Sequence, residues 1–165
     1  MKQIIYDSQT GNTELLATTI HQIYPDSIIS HVNQAEEIVG DILYLGSWCD
    51  KGNMTSTMQK LAQNLHHKKI FIFGTCGFGK DKNYFDMIAK RMTSSIPSDN
   101  EIIGTFVCQG KIDSKFQKKY EDMLESETTR RQAKMMLDNF KQAESHPNKN
   151  DLKALENELR GSLKF

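Results

Sequence analysis

Residues Ile4-Ile5-Tyr6-Asp7-Ser8-Gln9-Thr10-Gly11-Asn12-Thr13 decide how this chain is read. Ile4-Ile5-Tyr6 is a short apolar run, the pattern of a strand buried on both faces. Leu16, Ile20 and Ile23 then fall on one helical face, and Pro25 follows the last of them. Ser8–Thr13 therefore joins a strand to a helix. In such a loop, backbone N–H groups and a helix N-terminus meet at the carboxyl edge of a sheet. The loop carries hydroxyls at Ser8, Thr10 and Thr13, amides at Gln9 and Asn12, and Gly11, which permits close backbone approach. It holds no Lys or Arg, so it lacks the Gly-Lys-Ser/Thr of a triphosphate-binding loop. A single phosphate monoester, held by neutral donors and the helix dipole, fits it better. A plain helix cap by Thr10 or Asn12 is the alternative, and it needs one polar side chain rather than four.

Outward from this loop, apolar runs alternate with helical stripes. Ile28-Ile29 with Val32, Ile42-Leu43-Tyr44-Leu45-Gly46, Ile70-Phe71-Ile72-Phe73-Gly74 and Ile102–Cys108 read as further strands. Met54, Met58, Leu61 and Leu65 form one stripe, and Phe85, Ile88, Ala89 and Met92 another. The methionines read as core. The stretch from Asn33 to Gly40 is short for a full crossover helix. Fully apolar strands in this alternation imply parallel pairing, with helices on both faces. After Gly110 the chain turns helical and charged, with Ala133, Met136, Leu137 and Phe140 on the stripe expected to close the domain.

Composition narrows the function. The chain has 165 residues, enough for one domain. Lys plus Arg and Asp plus Glu number 21 each, so no basic excess points to nucleic acid. There is no apolar run long enough to span a membrane. The N-terminus reads as a strand rather than a signal peptide, which suggests a cytoplasmic protein. Cys49, Cys76 and Cys108 are odd in number and widely spaced, against a disulfide framework, and neither they nor His66-His67 have zinc-site spacing.

Ser8–Thr13 resembles the FMN-phosphate loop of the flavodoxin family, Thr/Ser-x-Thr-Gly-Asn-Thr. Leu45–Gly52 is similar to that family's second flavin loop, and Phe73–Gly79 to its third. Phe106–Lys111 resembles a run in a short-chain branch. The resemblance implies an α/β three-layer sandwich with a five-stranded parallel sheet in order 2-1-3-4-5. It covers residues 1–147 and leaves 148–165 as an extra C-terminal helix. It also implies that Ser8, Gln9, Thr10, Gly11, Asn12 and Thr13 hold the FMN phosphate. Ser47, Trp48, Cys49, Asp50, Lys51 and Gly52 would lie against the flavin, with Trp48 stacked on it. A Gly52 peptide would flip its carbonyl toward flavin N5 on one-electron reduction. Thr75, Cys76, Gly77, Phe78 and Gly79 would meet the pyrimidine edge, and Phe78 or Tyr84 would cover the other ring face.

The implied function is electron transfer through FMN between a reductase and a partner redox enzyme, flavin- or iron–sulfur-containing, by a monomer or weak dimer. The acidic surface of familiar flavodoxins is missing, which sets the usual basic-faced partners aside. An FMN-dependent NAD(P)H:quinone-type oxidoreductase is the alternative. A cysteine phosphatase is excluded because no arginine stands six residues after any cysteine, and a receiver domain because Asp7 has no acidic neighbour. In the tail, Leu152, Leu155, Leu159 and Leu163 form a stripe that either packs back on the domain or docks on a partner.

Overall fold

A computed structural model describes residues 1–35, 37–79 and 81–163. The strands are β1 (Lys2–Asp7), β2 (Ile28–His31), β3 (Ile42–Trp48), β4 (Lys69–Cys76) and β5 (Glu101–Gln109). The helices are α1 (Asn12–Ile23), α2 (Ser56–Ala62), α3 (Lys82–Thr93), α4 (Lys115–Met123), α5 (Arg130–Ala143) and α6 (Lys149–Ser162). All strand pairs are parallel, in the order β2-β1-β3-β4-β5.

Register explains why the strands read as unbroken apolar runs. Ile5, Leu45 and Ile72 align across the sheet and enter one core with Met54, Met58, Ile88 and Met92. Their neighbours Ile4, Tyr44 and Phe71 align likewise and enter the opposite core with Leu16, Ile20, Leu155 and Leu159. Both faces are covered, so alternation between polar and apolar residues is lost.

Among the described residues of the second crossover, the regular structure is a 3-10 turn, Val32–Gln34. An irregular connection leaves backbone groups to be satisfied, and the buried side chain of Gln3 does this. Its Oε1 accepts from Val39 N–H and Gly40 N–H, both at 2.9 Å, and its Nε2 donates to Glu37 O at 2.9 Å. The Met54–Leu65 stripe is only partly helical: α2 covers Ser56–Ala62, while Met54 and Leu65 reach the same core from flanking turns.

The domain does not close with the stripe at Ala133, Met136, Leu137 and Phe140, as the sequence suggested. That stripe belongs to α5, which packs against α4. The helix that closes the β5 side is α6, lying beside α1 with Leu155 and Leu159 fully buried. Asn148 starts α6 with a capping box: its side chain accepts from Asp151 N–H, and the Asp151 carboxylate accepts from Asn148 N–H. Both stripes have helical spacing, and spacing alone does not say which one reaches the sheet.

Leu155→Ala should cost about 2–5 kcal/mol, read as a lower urea midpoint. A chain ended after His146 should lose its cooperative unfolding transition. An unchanged midpoint in either case would show that α6 lies outside the core.

Candidate functional site

Asp7, Ser47 and Gly74 align at the carboxyl ends of β1, β3 and β4, as do Trp48, Thr75 and Cys108 one residue further on β3, β4 and β5. The loops that follow these strands leave the sheet on one edge. They enclose a cavity of about 370 Å³, within the range of small-molecule sites.

The Ser8–Thr13 loop forms one wall. Gly11, at φ 93°, precedes the first residue of α1. Ser8 supplies the cap: its Oγ accepts from Gly11 N–H and Glu14 N–H, each at 3.2 Å. Among the described residues, the N–H groups of Gln9, Thr10, Asn12 and Thr13 have no acceptor. Four unpaired donors at the positive end of a helix are the chemistry an anion would meet. Two side chains expected at a phosphate instead join this loop to its neighbours. Asn12 Nδ2 donates to Lys111 O at 2.8 Å and to Thr10 Oγ1 at 3.2 Å. Thr13 Oγ1, fully buried, lies 2.9 Å from Thr75 Oγ1.

The second wall follows β3. Trp48, half-buried, lines the cavity with Cys49 and Asp50. Ser47 is fully buried behind them, where its Oγ accepts from Thr55 N–H at 3.0 Å. Thr55 Oγ1 donates to Asp7 at 2.6 Å, and His31 Nε2 stands 3.6 Å from the same carboxylate. Asp50–Asn53 is a tight turn closed by two reciprocal backbone bonds of 2.8 and 3.1 Å. Lys51 at φ 52° and Gly52 at φ 82° give it the type I′ form. A Cβ at residue 52 would stand 2.8 Å from Arg91 Nη1.

The third wall follows β4. Thr75, Cys76 and Gly77 line the cavity. Phe78 and Tyr84 do not: Phe78 is half exposed and packs edge-on against Tyr84 at 5.7 Å. Gly77 O accepts from Gln109 Nε2 and Asn139 Nδ2, both at 3.0 Å, and Gly79 N–H donates to Asn139 Oδ1 at 3.1 Å. Asn139 of α5 thus fixes this loop from outside the sheet.

The fourth wall, the loop after β5, was not picked out as a site from the sequence. It brings Gly110, Lys111, Ile112, Asp113, Lys115 and Phe116 to the cavity. Gly110 and Gly77 allow the close approach: a Cβ at 110 would lie 2.6 Å from Asn12 Nδ2, and one at 77 would lie 2.8 Å from Ile112. The cavity's second aromatic side chain is therefore Phe116. The run Phe106–Lys111 was the only hint of this wall in the sequence.

Burial pushes the Cys49 thiol up, opposed in part by a bond from the Gly52 backbone. Burial raises Cys76 and Cys108 as well. All three cysteines are free and protonated at neutral pH, so the site presents no thiolate nucleophile. Among the described residues no group of His, Cys, Asp and Glu is placed to hold a metal ion, and no helix is long and apolar enough to cross a membrane. What the site offers is a helix-end anion cradle, two aromatic faces and a rim of backbone polar groups.

Comparison with known proteins agrees with this architecture. The chain is 36% identical over 155 residues to the flavodoxin-like domain-containing protein BilS of Clostridioides difficile, covering 90% of this chain and 88% of that one. A short-chain flavodoxin associated with a non-canonical PDU bacterial microcompartment superposes with a TM-score of 0.55 at 14% identity, over 99% of this chain and 97% of that one. A flavoprotein from Lactobacillus acidophilus, solved in complex with FMN, gives a TM-score of 0.51 at 16% identity over 66% and 91%. The flavodoxin domain family itself matches residues 3–159, from β1 through most of α6, and the chain belongs to that family.

Proposed function

We propose that this protein binds one FMN in the cavity at the carboxyl edge and serves as an electron carrier. The observation that carries this reading is the set of unpaired N–H groups at Gln9, Thr10, Asn12 and Thr13, which open beside two aromatic side chains. A phosphate ester answers the first feature and a planar ring system the second.

The residues then divide the work. The four amides, the α1 dipole and the Thr10 hydroxyl hold the phosphate. Ser8 keeps its cap while its hydroxyl proton stays free to donate. Asn12 and Thr13 hold the loop in place rather than touch the ligand. Trp48 and Phe116 supply faces for the ring, and the backbone at Thr75, Cys76 and Gly77 meets its polar edge. The turn at Lys51-Gly52 follows Trp48 and Cys49; a flip of the Gly52 carbonyl toward the ring would have to break the bond from Asn53 N–H to Asp50 O that closes the turn. Bound FMN would supply a centre that takes up and releases one or two electrons. Membership of the flavodoxin domain family favours a carrier working between a reductase and a partner redox protein. Three free thiols suit a reducing compartment such as the cytoplasm.

Titration of apoprotein with FMN and riboflavin tests this. FMN should bind one to one, and riboflavin on the order of a hundredfold more weakly, because it leaves the helix-end donors unmet. Thr10→Ala should cost about 1–3 kcal/mol for FMN and nothing for riboflavin. Equal affinity for the two ligands would overturn the reading. Trp48 is the sole tryptophan. Its fluorescence should be strongly quenched in the holoprotein and recover when FMN is removed; constant emission would place it away from the ring.

A further inference from the structure

The fourth wall changes the charge of the mouth. Lys111 and Lys115 line the cavity and are exposed. Lys118 and Lys119 lie three and four residues after Lys115 on α4, so they extend the same face by one helical turn, and both are exposed. Across the cavity, Lys51 stands exposed on the Asp50–Asn53 turn, and the Arg91 guanidinium reaches that turn from α3. The carboxylates lining the cavity are Asp50 and Asp113, and Asp113 is already 3.9 Å from the Lys115 ammonium. Glu121 and Asp122 follow Lys118 by three and four residues, so they continue the same face one turn further from the cavity. Among the described residues, cations therefore outnumber carboxylates at the mouth of the cavity. A phosphate held at the start of α1 would offset part of this excess. Net charge over the whole chain is zero, so no overall charge masks the local field.

We propose that this basic rim is the docking surface for a redox protein whose own electron-entry face is acidic. The inference rests on the FMN reading. Opposite potentials bring the two centres together and orient them, while a basic-faced partner is repelled. Bound FMN carrying two electrons and one proton would supply one electron to each of two one-electron acceptors docked at the rim, and that one proton would pass to solvent as the ring returns to its oxidised state.

Two small redox proteins of opposite charge serve as probes: plastocyanin, an acidic copper protein, and cytochrome c, a basic haem protein. Association at low ionic strength, measured by isothermal titration, needs no flavin signal and so is read separately from FMN binding. The chain should bind plastocyanin and lose it in salt, and should not bind cytochrome c. With dithionite-reduced holoprotein, the rate of plastocyanin reduction should fall on the order of tenfold between low and high ionic strength, and that of cytochrome c should rise. Lys118→Glu combined with Lys119→Glu, both outside the cavity lining, should remove most of the plastocyanin effect and leave FMN affinity within about twofold. Binding of cytochrome c in preference to plastocyanin would overturn the proposal, as would salt dependence of the opposite sign in the wild-type protein. Unchanged plastocyanin binding in the double variant would do so as well. A chain that binds plastocyanin in this salt-sensitive way but takes up no FMN would keep the surface and refute the cofactor.

Discussion

The structure depends on one topological constraint. From β1 the sheet grows to β2 on one side, and to β3, β4 and β5 on the other. The connection after β1 places α1 on one face, while the connection after β3 places α2 on the opposite face. The two loops therefore part above the sheet edge, and a crevice opens between them where no side chain is obliged to fill the space. The start of α1 faces that crevice. Its first N–H groups have no partner within the helix, and the protein leaves four of them in and beside the helix end unspent. Ser8 takes up only the donors at Gly11 and Glu14, so the cap and the anion site coexist.

Every other feature of the site keeps this arrangement rigid. Asn12 to Lys111, Thr13 to Thr75, and Asn139 with Gln109 to Gly77 cross-link the loops after β1, β4 and β5. Glycines at 77 and 110 set the spacing between walls by letting backbone approach side chain directly. The α4 and α5 helices pack chiefly on each other, and Asn139 of α5 accepts from Gln109 Nε2 of β5 at 3.1 Å. Through Asn139 and Phe116 the pair contributes a latch and a lining aromatic side chain, and through its lysines it sets the charge of the mouth.

Much of this was legible in the chain. The runs at Ile4-Ile5, Leu43-Tyr44-Leu45 and Ile70–Phe73 showed strands, because burial on two faces leaves no polar position to confuse the pattern. The Ser8–Thr13 loop was legible because donors without cations, placed between a strand and a helix, have few other uses. Long-range contacts were not. Gln3 looks like an ordinary strand residue until the connection it satisfies is in place, 34 to 37 residues away in sequence. Asn139 is one polar residue on a charged helix, and only the fold brings it to Gly77. Phe78 and Tyr84 were the natural aromatic candidates because they stand next to a flavin-loop motif. They pack on each other outside the cavity lining, and Phe116 reaches that lining from the first turn of α4. The sequence reading gave the closing place to the α5 stripe and left α6 either packed back or docked on a partner, because both carry stripes of the same period; in the structure α6 packs back on β5 and α1.

On the proposed reading, the unpaired N–H groups before and within the first turn of α1 seat the ligand's phosphate. The most direct measurement is the amide proton chemical shift of Gln9, Thr10, Asn12 and Thr13 in an NMR titration of 15N-labelled apoprotein, first with FMN and then with riboflavin. Charge-assisted hydrogen bonding should move all four amide protons strongly downfield with FMN and leave them near their apo positions with riboflavin. FMN that binds while these four amides stay unmoved would contradict the account.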